Sequence, residues 1–198
     1  MKKNLFLIAA LVLGAIAAVS TNVSADDATA SKGAGTATLS ITPGTFSQVG
    51  APSFSFTTEM NNDLVKGTAT AKSKEAAQSF KVSDYTGTDS GWSVTAQLGA
   101  FDNADVHVRT LDIPAGTISA AVDNKEGKIT STLASLKASG PAATVASAVK
   151  TGAGDTTFSY AEKSATLNFD KNTKAVKDAQ ASLTWTATPA GISGASFN

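Results

Sequence analysis

The chain contains no cysteine. Disulfides are therefore excluded, and so is a lipid anchor attached through a cysteine thiol, which leaves packing as the source of stability in any oxidising compartment. Histidine is almost absent: His107 stands alone, too few to build the usual zinc sites of three or four His, Cys and carboxylate ligands. Arginine is reduced to Arg109, and lysines nowhere cluster, so nothing in the chain would neutralise a row of phosphates. A nucleic-acid partner is excluded on that ground. Charged residues make up only 16% of the chain, and the two signs balance at 16 each. The apolar run over residues 5–19 falls short of the roughly 20 residues a membrane span requires.

That run has another explanation. Lys2 and Lys3 precede it, and Val23-Ser24-Ala25 follows it as a small-residue cleavage site, so residues 1–25 read as an export signal cut between Ala25 and Asp26. Its removal takes two lysines and moves the formal charge from zero to −2. Residues 26–35 are small and polar and read as a flexible linker, and residues 36–198 as one β domain. The mature chain is not expected to insert into a membrane. There is no Leu-Pro-x-Thr-Gly sorting motif and no C-terminal apolar tail, so retention at a surface would have to rest on binding.

What the chain has in abundance is Thr, Ser, Ala and Gly, a composition suited to an extracellular β protein. Period-two segments recur at 36–41, 53–57, 68–72, 80–83, 91–98, 106–111, 117–122, 144–149, 156–160, 165–169 and 182–188. Turn chemistry separates them, for example Pro43-Gly44, Asn61-Asn62-Asp63, Pro114-Ala-Gly116 and Ser139-Gly140-Pro141. The expected fold is all-β, an antiparallel β-sandwich (Ig-like or a related two-sheet fold) with at most short helical turns. Such turns are expected at 72–78, rich in Ala, Lys and Glu, and at 131–138, where Leu133 and Leu136 have helical spacing. The Gly/Asp segment 151–155 reads as a hairpin turn, since no helix follows that could present its N-terminus to a phosphate.

Two stretches organise the rest. In Asp84-Tyr85-Thr-Gly-Thr-Asp-Ser-Gly-Trp92-Ser-Val-Thr-Ala-Gln-Leu98 a turn leads into a strand with Trp92, Val94, Ala96 and Leu98 on one face and Ser93, Thr95 and Gln97 on the other. In Ala181-Ser-Leu183-Thr-Trp185-Thr-Ala187 the alternation is repeated around the second of only two tryptophans. These stretches resemble the two signatures of the WxL domain family, surface proteins of low-GC Gram-positive bacteria. The sequence departs from that pattern at the third motif position, where Val94 and Ala187 replace leucine. The resemblance implies a secreted, non-catalytic cell-surface protein that binds peptidoglycan non-covalently, without a cofactor. It also implies a membrane-anchored surface protein as partner. The ligand-binding candidates are Trp92, Val94, Trp185 and Ala187, with Asp84, Tyr85, Thr95, Gln97, Thr184 and Thr186 beside them. An indole on a flat sheet can stack on a sugar ring, whereas its place on the apolar strand face points to core packing. Solvated strand faces also look like the polar rows proposed here.

Other chemistries fit less well. Ser147-Ala-Val-Lys150, Lys150-Thr151-Gly152 and Ser83-Asp84-Tyr85 echo fragments of the penicillin-binding transpeptidase signature, but one lysine would have to serve two motifs. His107 has no companion that marks it as a triad base. The acids Asp84, Asp89, Asp102, Asp105, Asp112 and Asp123 stand mostly within two residues of Gly, Asn or Pro, where Asp bonds its own backbone. This favours turn roles over the carboxylate pair of a wall hydrolase or a calcium site, the latter lacking the Asp-x-Asp-x-Asp-Gly loop. A structural or adhesive module, whose exposed edge strands accept a strand from a protein partner, is the second reading.

Overall fold

The structure, a computed structural model, describes residues 36–122 and 128–191. The expected signal, its cleavage site, the linker and Asp123 lie outside the described residues. The chain divides into Met1–Ser40 and Ile41–Asn198. Of the first unit, residues 36–40 are described, as exposed backbone without secondary structure rather than the expected strand.

The second unit is an all-β sandwich with one short helix. Its elements are β1 (Phe46–Val49), α1 (Asn62–Lys66), β2 (Thr70–Lys72), β3 (Gln78–Asp84), β4 (Gly91–Phe101), β5 (Val108–Ile113) and β6 (Thr117–Ala120). They continue with β7 (Ile129–Ser131), β8 (Ala134–Leu136), β9 (Ala143–Val149), β10 (Gly154–Tyr160), β11 (Thr166–Phe169) and β12 (Ala181–Pro189). Three four-stranded sheets have the orders β1-β3-β10-β6, β2-β11-β5-β8 and β12-β4-β9-β7, and every pairing is antiparallel.

The first two sheets repeat one order. β2 leads into β3, β10 into β11, and β5 into β6, and in each sheet the β10 or β11 segment lies between the other two. They are two halves of one layer whose long strands break at corresponding places: 73–77, 161–165 and Pro114-Ala-Gly116. Pairing survives partly across the break, through Ser73 N to Ala165 O at 3.0 Å and Lys163 N to Glu75 O at 3.2 Å. Proline, with no N–H to donate, accounts for the interruption between β5 and β6. One hydrophobic cluster draws on all three sheets, with Phe80, Val82, Val94, Ile113, Leu136, Val145 and Phe158 among its most deeply buried members. Each such side chain contributes about 1.5–3 kcal/mol of transfer free energy.

Several local expectations fail for identifiable reasons. Residues 131–138 are not helical: Ile129, Ala134 and Leu136 turn into the core from β7 and β8, while Leu133 is 60% exposed. The apparent helical spacing of Leu133 and Leu136 therefore joins residues on different sides. Residues 72–78 likewise close β2 and open β3, because the pairing offered by β11 and β10 outweighs the helix propensity of Ala and Lys. The helix forms instead at the expected turn. The Asn61 side chain caps it by accepting from Leu64 N at 2.8 Å, and Gly67 ends it in the left-handed region at φ 74°. Residues 53–57 form no strand but run on beside β3 and β2, with one bridge between Phe56 and Ser73. Finally, 151–155 is not a hairpin turn, since β9 and β10 belong to different sheets.

Candidate functional site

β4 and β12 are neighbours, and their register superimposes the two tryptophan motifs antiparallel. Val94 faces Ala187, Trp92 faces Pro189 and Trp185 faces Ala96. The two departing third positions thus meet at the centre of a local two-fold arrangement, with a tryptophan on each side. Val94 is fully buried and Ala187 half-buried.

The indoles point inward. Trp92 is 1% exposed, donates Nε1–H to the Gly152 carbonyl at 3.2 Å, and meets Phe158 edge-on at a centroid distance of 5.8 Å. Phe158 stacks on Phe80 at 4.9 Å, and Phe80 in turn touches Trp185 at 5.4 Å. Trp185, half-buried on the edge strand, packs on Tyr160 at 6.1 Å and donates to Pro52 O at 2.9 Å. One aromatic chain therefore ties β3 and β10 of one layer to β4 and β12 of the other. Offset and edge-on ring pairs of this kind contribute about 0.5–1.5 kcal/mol each beyond area burial. Within the cluster the Tyr160 hydroxyl has no hydrogen-bond partner among the described residues, and burial pushes its pKa upward, keeping it a neutral phenol.

The opposite face of the same sheet carries hydroxyls in register. Thr188, Ser93, Ser147 and Thr130 follow one another across β12, β4, β9 and β7. A second row runs Thr186, Thr95, Thr144, and Thr184 faces Gln97. At a strand spacing of about 4.8 Å the four-strand row is roughly 14 Å long. Ser147 and Thr130 are bonded at 3.0 Å, and Gln97 Nε2 donates to Gly140 O at 2.9 Å. The contribution of β9 was hidden in the sequence: a bulge opposite Val94 and Thr95 buries the consecutive Val145 and Ala146, so Thr144 and Ser147 both face outward despite lying three residues apart. Of the sequence candidates, Thr95, Gln97, Thr184 and Thr186 share this outer face, while Trp92, Val94, Trp185 and Ala187 lie on the inner one.

Asp84 and Tyr85 belong to another sheet. Asp84 is 3% exposed, and its Oδ1 accepts from Thr86 N at 3.0 Å and Thr86 Oγ1 at 2.7 Å, the self-bonded turn expected of it. Tyr85 is 55% exposed and donates to Asp155 at 3.2 Å. Asp155 also accepts from Ser83 Oγ at 2.6 Å and Lys81 Nζ at 2.9 Å; these two bonds hold its carboxyl below the usual range, and the bond and charge of Asp155 raise the Lys81 pKa. Both groups are thus fixed in their charged forms, and Lys81 offers no free amine for nucleophilic chemistry.

The other candidates are occupied. Asp102 accepts from Gln180 N, Asp105 pairs with Lys174, and Asp112 accepts from Asn168. His107 is exposed, and its backbone makes the bonds to Thr173. Ser147 bonds Thr130 on the hydroxyl face. Among the described residues, no group of three or more His, Cys, Asp or Glu side chains could hold a metal ion.

The WxL family model, described as WxL domain surface cell wall-binding, matches residues 23–190, most of the chain. The chain belongs to the WxL domain family. No curated protein and no solved structure matches the chain significantly. Family membership places this WxL domain among surface cell-wall binders. The tryptophans of the two motifs are, in this WxL domain, the two ends of an aromatic chain between the layers. Among the described residues, no helix is long and apolar enough to cross a membrane.

Proposed function

We propose that this WxL domain binds peptidoglycan non-covalently and without catalysis, through the outer face of the β12-β4-β9-β7 sheet. The observation carrying this reading is the register of hydroxyls across four strands, on the side opposite the buried tryptophan motifs. Glycan hydroxyls and stem-peptide amides are uncharged donors and acceptors, and a flat array of Thr and Ser hydroxyls both donates and accepts. β pairing fixes the backbone beneath these side chains, and threonine, branched at Cβ, is stiff at χ1, so little freedom is lost on binding. The tryptophans act behind this surface by fixing the sheet that bears it. Trp185, at the sheet edge, is the indole with surface to offer.

In this account the chain is exported by a Gram-positive cell, loses residues 1–25 between Ala25 and Asp26, and keeps residues 26–35 as a tether for the domain at 36–198. A membrane-anchored surface protein is its partner at the wall. The test is co-sedimentation with peptidoglycan stripped of proteins and wall polymers, comparing the exported chain with a Thr95→Val, Ser147→Ala, Thr186→Val variant. The variant keeps its fold by circular dichroism and loses sedimentation. Undiminished sedimentation of the folded variant places the binding surface elsewhere.

A further inference from the structure

Residues 36–41, Thr-Ala-Thr-Leu-Ser-Ile, alternate strictly between polar and apolar, a strand pattern, yet they have no strand partner. Leu39 is 83% exposed and Ile41 81%, more than any other large apolar side chain among the described residues. In the domain, a cleft of about 600 Å³ has Phe54, Phe56, Met60, Phe169 and Val176 among its apolar lining. Its lining includes the segments 57–60 and 175–179, which are in no ladder among the described residues and bend at Lys177. A segment with strand-like alternation and exposed apolar side chains, and an apolar cleft bordered by backbone outside any ladder, offer each other what each lacks.

We propose that residues 36–41 of one molecule add as a strand into this cleft of a second copy, with Leu39 and Ile41 inward. The chain's own tail is too short. Gly44 is fixed beside Tyr85 by a hydrogen bond of 2.7 Å, whereas the first cleft residue along the chain is Phe54, next to Ser53, which bonds the Gln78 side chain. Tyr85 and Gln78 are seven residues apart along β3 and its extension, about 23 Å. The five residues from Gly44 to Leu39 reach at most about 17 Å. Insertion is therefore intermolecular. Donor and acceptor are different surfaces, so the contact is heterologous and propagates head to tail. The assembly is independent of wall binding and is tested in its absence.

The experiment is sedimentation velocity on the exported chain across the micromolar range, with two double variants at exposed positions: Leu39→Asp with Ile41→Asp, and Met60→Glu with Val176→Glu. The wild type is expected to grow in mass with concentration, and each variant alone to stay monomeric. Their equimolar mixture forms a 1:1 dimer and nothing larger, because only one donor–cleft pair remains. Wild type that stays monomeric, or association that survives Leu39→Asp with Ile41→Asp, overturns the proposal. Should the cleft variant fail to fold, a synthetic peptide of residues 34–43 decides: it must dissociate the wild-type assembly, and failure to do so equally overturns it.

Discussion

Replacing Trp92 by alanine separates core packing from ligand contact. The side chain is 1% exposed, so its removal opens a cavity between the layers, with a cost of about 3–5 kcal/mol for a buried Trp→Ala change. The Gly152 carbonyl also loses its donor, and a buried acceptor left unpaired costs about 1–3 kcal/mol, part of which relaxation recovers. A combined loss of about 4–5 kcal/mol is a large share of the roughly 5–15 kcal/mol available to a domain. With a urea slope near 2 kcal/mol/M, the unfolding midpoint falls by about 2 M. Trp185→Ala removes a half-buried ring and the bond to Pro52, so its loss is smaller, about 2–3 kcal/mol. Urea unfolding followed by tryptophan fluorescence and far-ultraviolet circular dichroism measures both. A Trp92→Ala protein that keeps its midpoint within about 0.5 M yet loses wall binding refutes the reasoning, because the indole would then be a contact and not a core residue.

Gly152→Ala should be almost as damaging as the tryptophan change. The residue has φ 99°, and a Cβ there falls on Trp92 Nε1 and, at 2.8 Å, on Ala148 Cβ, so about 2–4 kcal/mol is expected from thermal or urea unfolding. Asp155→Asn should matter only above the acid range. Its carboxyl is held below the ordinary value of 3.8, so the stability it contributes is present above that value and lost as pH falls through the lowered one. Wild type and variant should therefore differ in melting temperature at pH 7 and converge only as pH falls below that lowered value. Lys81, raised above 10.5 by the same pair, loses its share only in strong base.

The sheet-forming alternation was legible in the sequence wherever strands were regular. β4 and β12 appeared with their faces correctly divided, and the two tryptophans fell on the apolar side that the structure places inside the sandwich. The breaks that split one layer into two sheets were not legible, because they depend on pairing between segments as distant as Ser73 and Ala165. β8 was misread because three residues cannot establish a period, and Leu133 supplied a false one. At the candidate surface, β4 and β12 disclosed their hydroxyls, but the bulge in β9 shifted the phase that would have revealed Thr144 and Ser147. The helix at Asn62–Lys66 had its signals in place, an Asn cap and a terminal glycine, but five residues are too few for periodicity to show.

The central claim is that this WxL domain meets the wall with the hydroxyl face of its β12-β4-β9-β7 sheet while both tryptophan motifs pack behind it. The most direct measurement is co-sedimentation of the exported chain with stripped peptidoglycan, beside the Thr95→Val, Ser147→Ala, Thr186→Val variant and with folding verified for both. The account predicts that the wild type sediments and the folded variant stays in solution. A folded wild type that remains in the supernatant would contradict it and leave a protein partner as the agent of attachment.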